Sequence, residues 1–245
     1  MDCYPCGQTV CHSGEEHLMR IFRILTLLAL AAVIPMKAGA GPIVVGDVVN
    51  FSDLPGNTGG GEFKLTDISN AADWIISFCM QQSEHMNFTN NFIVGSINDY
   101  TLTDPDDKGG VNGQDPISSY TAWLYTQFTD GTLSKYDYNN TGNDVFASHE
   151  ASANALQHAL WGFEQEETLD QNNYFVQLAM NSTPANFGIG DVRVLNMYLY
   201  DPTKPGGVGP EAQDQLTRVP EPSTLALFGT GIVGLVVRRR QRAKV

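Results

Sequence analysis

An α+β fold is predicted for the middle of this chain, because candidate strands lie at both ends of the region and candidate helices lie between them. β-branched and aromatic residues mark the strands, and apolar residues at helical spacing mark the helices. We therefore expect an antiparallel β-sheet or sandwich with an inserted helical subdomain, spanning residues 41–201.

The strands are predicted from alternation and from turn residues. Residues 43–51 and 61–68 flank a Pro/Gly-rich stretch, which predicts two paired strands joined by a turn. Three further strands are expected at 74–80, 92–97 and 192–200.

Three helices are predicted between these strands. A helix over 120–128 is predicted to follow a cap at Ser118-Ser119 and to end at Gly131. The clearest pattern covers 151–164, where apolar residues recur on one side and Ser148 or Asn143 could cap the start. Residues 174–180 are expected to form the third helix.

The first 40 residues contain an export signal. Residues 19–23 are basic, 24–34 are apolar, and Ala38-Gly39-Ala40 offers a cleavage site, so 19–40 is predicted to be a signal peptide with an N-terminal signal helix that signal peptidase removes. Because this signal opens with its own methionine, residues 1–18 are interpreted as a mis-called extension. We expect no zinc site there, since no second ligand pair follows Cys3, Cys6, Cys11 and His12.

The C-terminal residues 219–245 have three parts in a fixed order. Pro220-Glu221-Pro222 comes first, 14 uncharged residues follow at 224–237, and Arg238, Arg239 and Arg240 come next. This arrangement resembles the PEP-CTERM sorting signal of Gram-negative surface proteins, which implies an exosortase as processing partner. The uncharged segment predicts a short transmembrane helix held in the inner membrane with its arginines cytoplasmic.

The resemblance implies transient membrane anchoring, followed by release to the cell surface or extracellular matrix. The stretch at 202–218 before the signal is rich in proline and glycine at its start and is predicted to be a linker. A G-x-G-x-x-G pattern at 229–234 lacks a following helix and ribose-binding acid, so we expect no dinucleotide and no other cofactor.

The charge of the central region limits its partners. Six of the 14 basic residues and 23 of the 27 acidic residues lie between positions 41 and 218, which gives a net charge of −17. No basic stripe is present to neutralise phosphates, so nucleic acid is excluded as a partner.

Cys79 is the only cysteine left once the leader is removed, and Gln157 lies far downstream between apolar residues. Phe78-Cys79-Met80 and Leu156-Gln157-His158-Ala159-Leu160-Trp161 resemble the cysteine and Thr-Gln-x-Ala-Ile-Trp motifs of bacterial thioester domains found in surface adhesins. Leucines replace the threonine and the isoleucine of that motif.

The resemblance implies an internal thioester between the Cys79 sulfur and the Gln157 side-chain carbonyl. Amines or hydroxyl groups on a target surface, including glycans, would open this bond and become attached covalently. Trp161 is expected to shield the bond from water. His158, His149 or His85 could carry the proton. Such a protein reacts once and is not an enzyme.

Two alternatives use the same residues differently. In the first, Cys79 is an inert core residue of a noncatalytic matrix or binding protein, and Asp104, Asp106 and Asp115 bind calcium in a loop that imitates an EF-hand. In the second, a cysteine peptidase pairs Cys79 with His149 or His158, but the sequence around the cysteine lacks the signature of such enzymes.

Overall fold

The computed structural model describes residues 43–56, 61–84, 86–102 and 110–219. These residues form mostly antiparallel β-structure with three helices, which confirms the predicted α+β class. The strands are β1 Val48–Asp53, β2 Phe63–Asp67, β3 Trp74–Ser77, β4 Phe92–Asn98, β5 Tyr100–Leu102, β6 Gln114–Pro116, β7 Val192–Tyr200 and β8 Val208–Arg218. The helices are α1 Ser119–Thr129, α2 His149–Phe163 and α3 Tyr174–Ser182.

Six strands form one antiparallel sheet in the order β3-β2-β1-β4-β7-β8, and β5 and β6 form a separate pair. The chain beyond β3 then bonds to β8. Met80 N donates to the carbonyl of Asp214 at 3.0 Å, and Leu216 N donates to the carbonyl of Phe78 at 3.2 Å. These bonds join the two ends of the six-stranded sheet, so the sheet closes on itself.

The prediction of a linker at 202–218 is wrong. This stretch holds a short 3₁₀ turn at Pro205–Gly207 and the 11-residue strand β8. The strand lacks the apolar alternation that marks a strand, because its buried residues include Gln213, Asp214, Gln215 and Thr217. Asp214 bonds to the neighbouring strands β5 and β7, and Gln213 bonds to the carbonyls of Gln81 and Glu84.

Side-chain caps fix the starts of the helices. Ser118 caps α1 by accepting from Thr121 N, and Ser148 caps α2 by accepting from Ala151 N. Asn173 caps α3 in the same way. Each capping oxygen satisfies an N–H group that the first turn of a helix leaves unpaired.

The sheet has a different apolar core on each face. Neighbours along one strand point to opposite faces, and Val194 and Leu195 accordingly belong to different clusters. One cluster joins the sheet to the helices through residues such as Phe78, Tyr125 and Leu156. The other contains Phe51, Leu65, Cys79, Trp161 and Met197, on the face that closure turns inward.

Several predictions fall on residues outside the described ranges. They concern the extension at 1–18, the signal peptide at 19–40, the sorting signal from Pro220 onward, the side chain of His85, and Asp104 and Asp106. Within the described ranges, none of the helices combines the length and apolarity needed to cross a bilayer.

Candidate functional site

Cys79 lies where the sheet closes. It follows β3 and forms an isolated antiparallel bridge with Gln215 of β8, and its side chain is fully buried. It is the one cysteine in the part of the chain that the structure describes, and it is not in a disulfide.

Gln157 enters the same place from α2 and is also fully buried. Its carbonyl oxygen Oε1 lies 3.4 Å from the Cys79 sulfur, although the two residues are 78 positions apart. Oε1 also accepts from the backbone N–H groups of Cys79 at 3.2 Å and Gly61 at 3.1 Å. The amide nitrogen Nε2 donates to the Cys79 carbonyl at 2.8 Å.

These contacts fix which way the carboxamide faces. Its nitrogen is held by a carbonyl, and its oxygen points at two backbone donors. Two backbone N–H groups converging on one carbonyl oxygen form the arrangement that stabilises a tetrahedral oxyanion during acyl transfer. We call Gly61 N and Cys79 N the amide cradle of Gln157.

Gly61 is suited to the cradle because it has no side chain. Its φ is +135°, in the region that favours glycine, and a Cβ there would meet the Gly56 Cα at 2.9 Å. A larger residue would therefore push the Gly61 N–H away from Gln157.

The thiol of Cys79 is protonated at neutral pH. Burial raises its pKa well above the usual range, and the carboxylate of Glu166 adds to the rise. The Cys79 backbone N–H and the Trp161 indole lower the pKa, with smaller effects than burial. A free Cys79 is thus a thiol rather than a thiolate.

Two buried polar atoms beside the sulfur have no hydrogen-bond partner among the described residues. One is the indole nitrogen Nε1 of Trp161, whose residue is 2% exposed, and the other is Oε1 of Gln215, whose residue is fully buried. Bridge partners on antiparallel strands carry their side chains on the same face, so the Gln215 amide lies alongside Cys79. The indole N–H lies close enough to the sulfur to lower the pKa of the thiol, so its only described neighbour for a hydrogen bond is Cys79, whereas the Gln215 oxygen is an unpaired acceptor.

The histidines proposed from the sequence bind carboxylates. His158 Nδ1 lies 2.9 Å from Glu167, and its ring packs edge-on against Trp161. His149 Nε2 lies 2.8 Å from the buried carboxylate of Glu62. Neither of these contacts is the cysteine–histidine pair that a peptidase requires.

Asp115, the third residue proposed for calcium, lies in β6 and is buried. Its backbone pairs with Thr101 of β5. Among the described residues, no group of three or more histidine, cysteine, aspartate or glutamate side chains is arranged to hold a metal ion.

A surface cleft of about 620 Å³ lies beside the C-terminal end of α2. Tyr120, Phe163, Glu167 and Leu169 are among its lining residues, whereas Cys79 and Gln157 are not. The thiol and the carboxamide are thus buried away from this cleft.

Sequence reasoning missed Gly61, Gln215 and Glu62. Gly61 belongs to a run of three glycines, and this run was a signal for a close backbone approach. Gln215 lay in the segment interpreted as a linker, so no sequence signal pointed to it.

The comparisons with known proteins concern the C-terminus. Residues 218–240 match the family model of the PEP-CTERM protein-sorting motif. The chain carries an exosortase sorting signal. This motif directs the protein through the membrane to the cell surface, with an exosortase as its processing partner. Comparison with curated proteins and with solved structures finds no similar chain.

Proposed function

We propose that this exported protein forms an internal thioester between Cys79 and Gln157 and uses it once, to attach itself covalently to a target surface. The observation that carries the proposal is the Gln157 carboxamide, whose oxygen lies in the amide cradle 3.4 Å from the only described thiol.

The bond forms by exchange of sulfur for nitrogen. The Cys79 sulfur attacks the side-chain carbonyl carbon of Gln157, the carbon–nitrogen bond breaks, and ammonia leaves with the thiol proton. The amide cradle stabilises the negative oxygen of the tetrahedral intermediate. The fold supplies the proximity that makes an amide reactive toward a thiol.

The unpaired atoms beside the sulfur suit the same reaction. The Trp161 N–H can donate to the sulfur as negative charge develops on it. The free oxygen of Gln215 can accept an N–H from departing ammonia or from an incoming amine. Both groups would be costly to bury without a partner, so a role in the reaction accounts for them.

Burial protects the stored bond. Cys79 and Gln157 are fully buried and Trp161 covers the sulfur side, so water reaches the thioester slowly. A primary amine or hydroxyl group of the target then attacks the carbonyl carbon, its proton passes to sulfur, and the Cys79 thiol is released. The target remains joined to Gln157 by an amide or an ester.

The test compares the purified wild-type protein with Cys79→Ala. The mass of the wild type should be one ammonia below the mass calculated from its sequence, whereas the mass of Cys79→Ala should equal its calculated mass. Methylamine should add to Gln157 and release one titratable thiol. Cys79→Ala and Gln157→Glu should show neither effect, whereas the control Gln171→Glu, at an exposed glutamine, should behave as wild type. An ordinary mass and a free thiol in untreated wild type would refute the proposal and favour a noncatalytic matrix protein.

A further inference from the structure

A second buried polar cluster lies beside the amide cradle. The carboxylate of Glu62 is 4% exposed, accepts a hydrogen bond from the hydroxyl of Tyr136, and lies 2.8 Å from His149 Nε2. The Tyr136 hydroxyl is also 3.5 Å from His149 Nε2. We call Glu62, Tyr136 and His149 the Glu62 latch.

The latch connects the two parts of the chain that meet at the cradle. Glu62 directly follows Gly61, whose N–H is one of the two cradle donors. His149 is the first residue of α2, the helix that presents Gln157 two turns further on. The contact between Glu62 and His149 thus holds the donor-bearing segment against the acceptor-bearing helix.

The backbone of Glu62 is fixed as well. Its carbonyl accepts from Leu54 N at 3.2 Å, and the neighbouring Gly61 packs against Gly56. Burial and the Glu62 carboxylate raise the pKa of Tyr136, so its hydroxyl stays protonated and donates. Gly61 is therefore followed by a residue that is held through both its backbone carbonyl and its side chain.

A contribution to stability does not by itself explain why the Glu62 latch is buried. Burying a carboxylate and its partners costs several kcal/mol in desolvation, and well-packed apolar residues often serve stability as well or better. A buried cluster beside a hydrogen-bond donor is instead typical of the residues that hold a reactive site in its productive geometry.

We infer that Glu62 is a positioning residue for the proposed thioester: its latch to Tyr136 and His149 keeps the Gly61 N–H on the Gln157 carbonyl oxygen, and the rate of acyl transfer depends on it. This inference rests on the proposed function. Glu62 itself touches neither the sulfur nor the carboxamide through any of its described hydrogen bonds.

The experiment measures the rate at which methylamine adds to Gln157 in the purified full-length protein, well below the melting temperature of each variant. Loss of an oxyanion donor slows acyl transfer by roughly 100-fold or more, so a displaced donor in Glu62→Ala should slow it about ten-fold or more. Glu62→Gln keeps an oxygen that accepts from Tyr136, and it should restore the rate to within about three-fold of wild type.

Glu164→Ala is the matched control, since Glu164 is an equally buried carboxylate that binds Ser118 and Thr121 away from the cradle. It should lower the melting temperature while leaving the rate unchanged. Tyr136→Phe removes one latch bond and provides a milder test, with an intermediate rate, if Glu62→Ala does not fold.

Equal rates for wild type, Tyr136→Phe and Glu62→Ala would overturn the inference and leave the thioester standing. The inference would also be overturned if Glu164→Ala slowed methylamine uptake as much as Glu62→Ala does, because the slower rate would then follow from lower stability alone. A wild type that never loses ammonia and never takes up methylamine would overturn the proposed function and this inference together.

Discussion

Two polar clusters of the interior include consecutive residues of β8, Asp214 and Gln215. The clusters differ in how completely their hydrogen-bonding groups are paired. The carboxylate cluster consists of Asp214, Asn196, Ser96 and Asn98. The sulfur cluster consists of Cys79, Gln157, Trp161 and Gln215. Because Asp214 and Gln215 are consecutive in a strand, their side chains point to opposite faces of the sheet.

Both oxygens of Asp214 are paired in the carboxylate cluster. Oδ1 accepts from Met197 N at 2.8 Å, and Oδ2 accepts from Leu102 N at 2.9 Å and from Asn196 Nδ2 at 2.6 Å. The sulfur cluster instead leaves the Gln215 oxygen unpaired and gives the Trp161 nitrogen no described neighbour for a hydrogen bond other than the sulfur. A complete network stabilises one fold, whereas spare donors and acceptors around a nucleophile indicate a site for chemistry.

The largest expected effect comes from breaking the complete network. Asp214→Ala leaves the backbone N–H groups of Leu102 and Met197 without their acceptor and removes one of the two hydrogen bonds of the Asn196 amide nitrogen, which should lower the free energy of unfolding by about 3 to 5 kcal/mol. Urea unfolding followed by circular dichroism measures this, with Asp99→Ala at an exposed acid as the control.

Where Asp214→Ala remains folded, its uptake of methylamine at Gln157 should match wild type. A cost below about 1 kcal/mol would mean that the paired network contributes little to stability. The contrast with the sulfur cluster would then be lost.

The next effect concerns pH, because the carboxylate cluster titrates near neutrality and the sulfur cluster does not. Burial raises the pKa of Asp214 to about 7, and it raises the pKa of Glu164 to about 7 as well. A carboxyl whose pKa is higher in the folded state stabilises the fold below its unfolded pKa, and this contribution is lost as pH rises through the folded value. Stability should therefore fall between pH 5 and pH 8.

Each of the two groups should contribute about 2 to 3 kcal/mol to that fall. Glu164→Gln removes one titration, so the melting temperature of this variant should depend less on pH than that of wild type. Cys79 should add nothing over this range, because burial raises the pKa of its free thiol still further and a thioester does not titrate. A melting temperature that is flat or rises from pH 5 to pH 8 would contradict the assignment.

The sequence could predict the helices and strands that bury apolar side chains. The spacing of Leu156 and Leu160 predicts α2, and the caps Ser118 and Ser148 were readable from their positions. Strand β8 was missed for the opposite reason, since its buried residues are polar and hydrophobic periodicity does not detect them. The closure of the sheet was not predicted either, because it depends on hydrogen bonds to β8.

The candidate site also contains residues that the sequence could predict and residues that it could not. Cys79 and Gln157 could be selected because a short motif resembles that of a known domain family. Gly61 and Gln215 act through a backbone N–H and through a cross-strand neighbour, and such roles depend on tertiary structure rather than on residue type. The Glu62 latch joins residues 62, 136 and 149, whose proximity no local pattern predicts.

The smallest expected effect separates two buried glutamines of β8. Gln213 Nε2 donates to the carbonyls of Gln81 at 2.6 Å and Glu84 at 2.8 Å, so Gln213→Met should cost about 1 to 3 kcal/mol in unfolding free energy. Gln215 makes only weak contacts through Nε2, at 3.5 and 3.9 Å, and its Oε1 has no partner. Gln215→Met should therefore change stability by less than about 0.5 kcal/mol, since it removes an unpaired buried acceptor.

The effect of the two substitutions on the rate of methylamine uptake should be the reverse of their effect on stability. If Gln215 Oε1 receives an N–H of the attacking amine, Gln215→Met should slow methylamine uptake several-fold, while Gln213→Met leaves the rate near that of wild type. Urea midpoints and mass-spectrometric rates on the same two variants measure both properties. A Gln215 variant that loses stability but keeps its rate would place this residue with the structural cluster and leave only Trp161 as the unpaired group beside the sulfur.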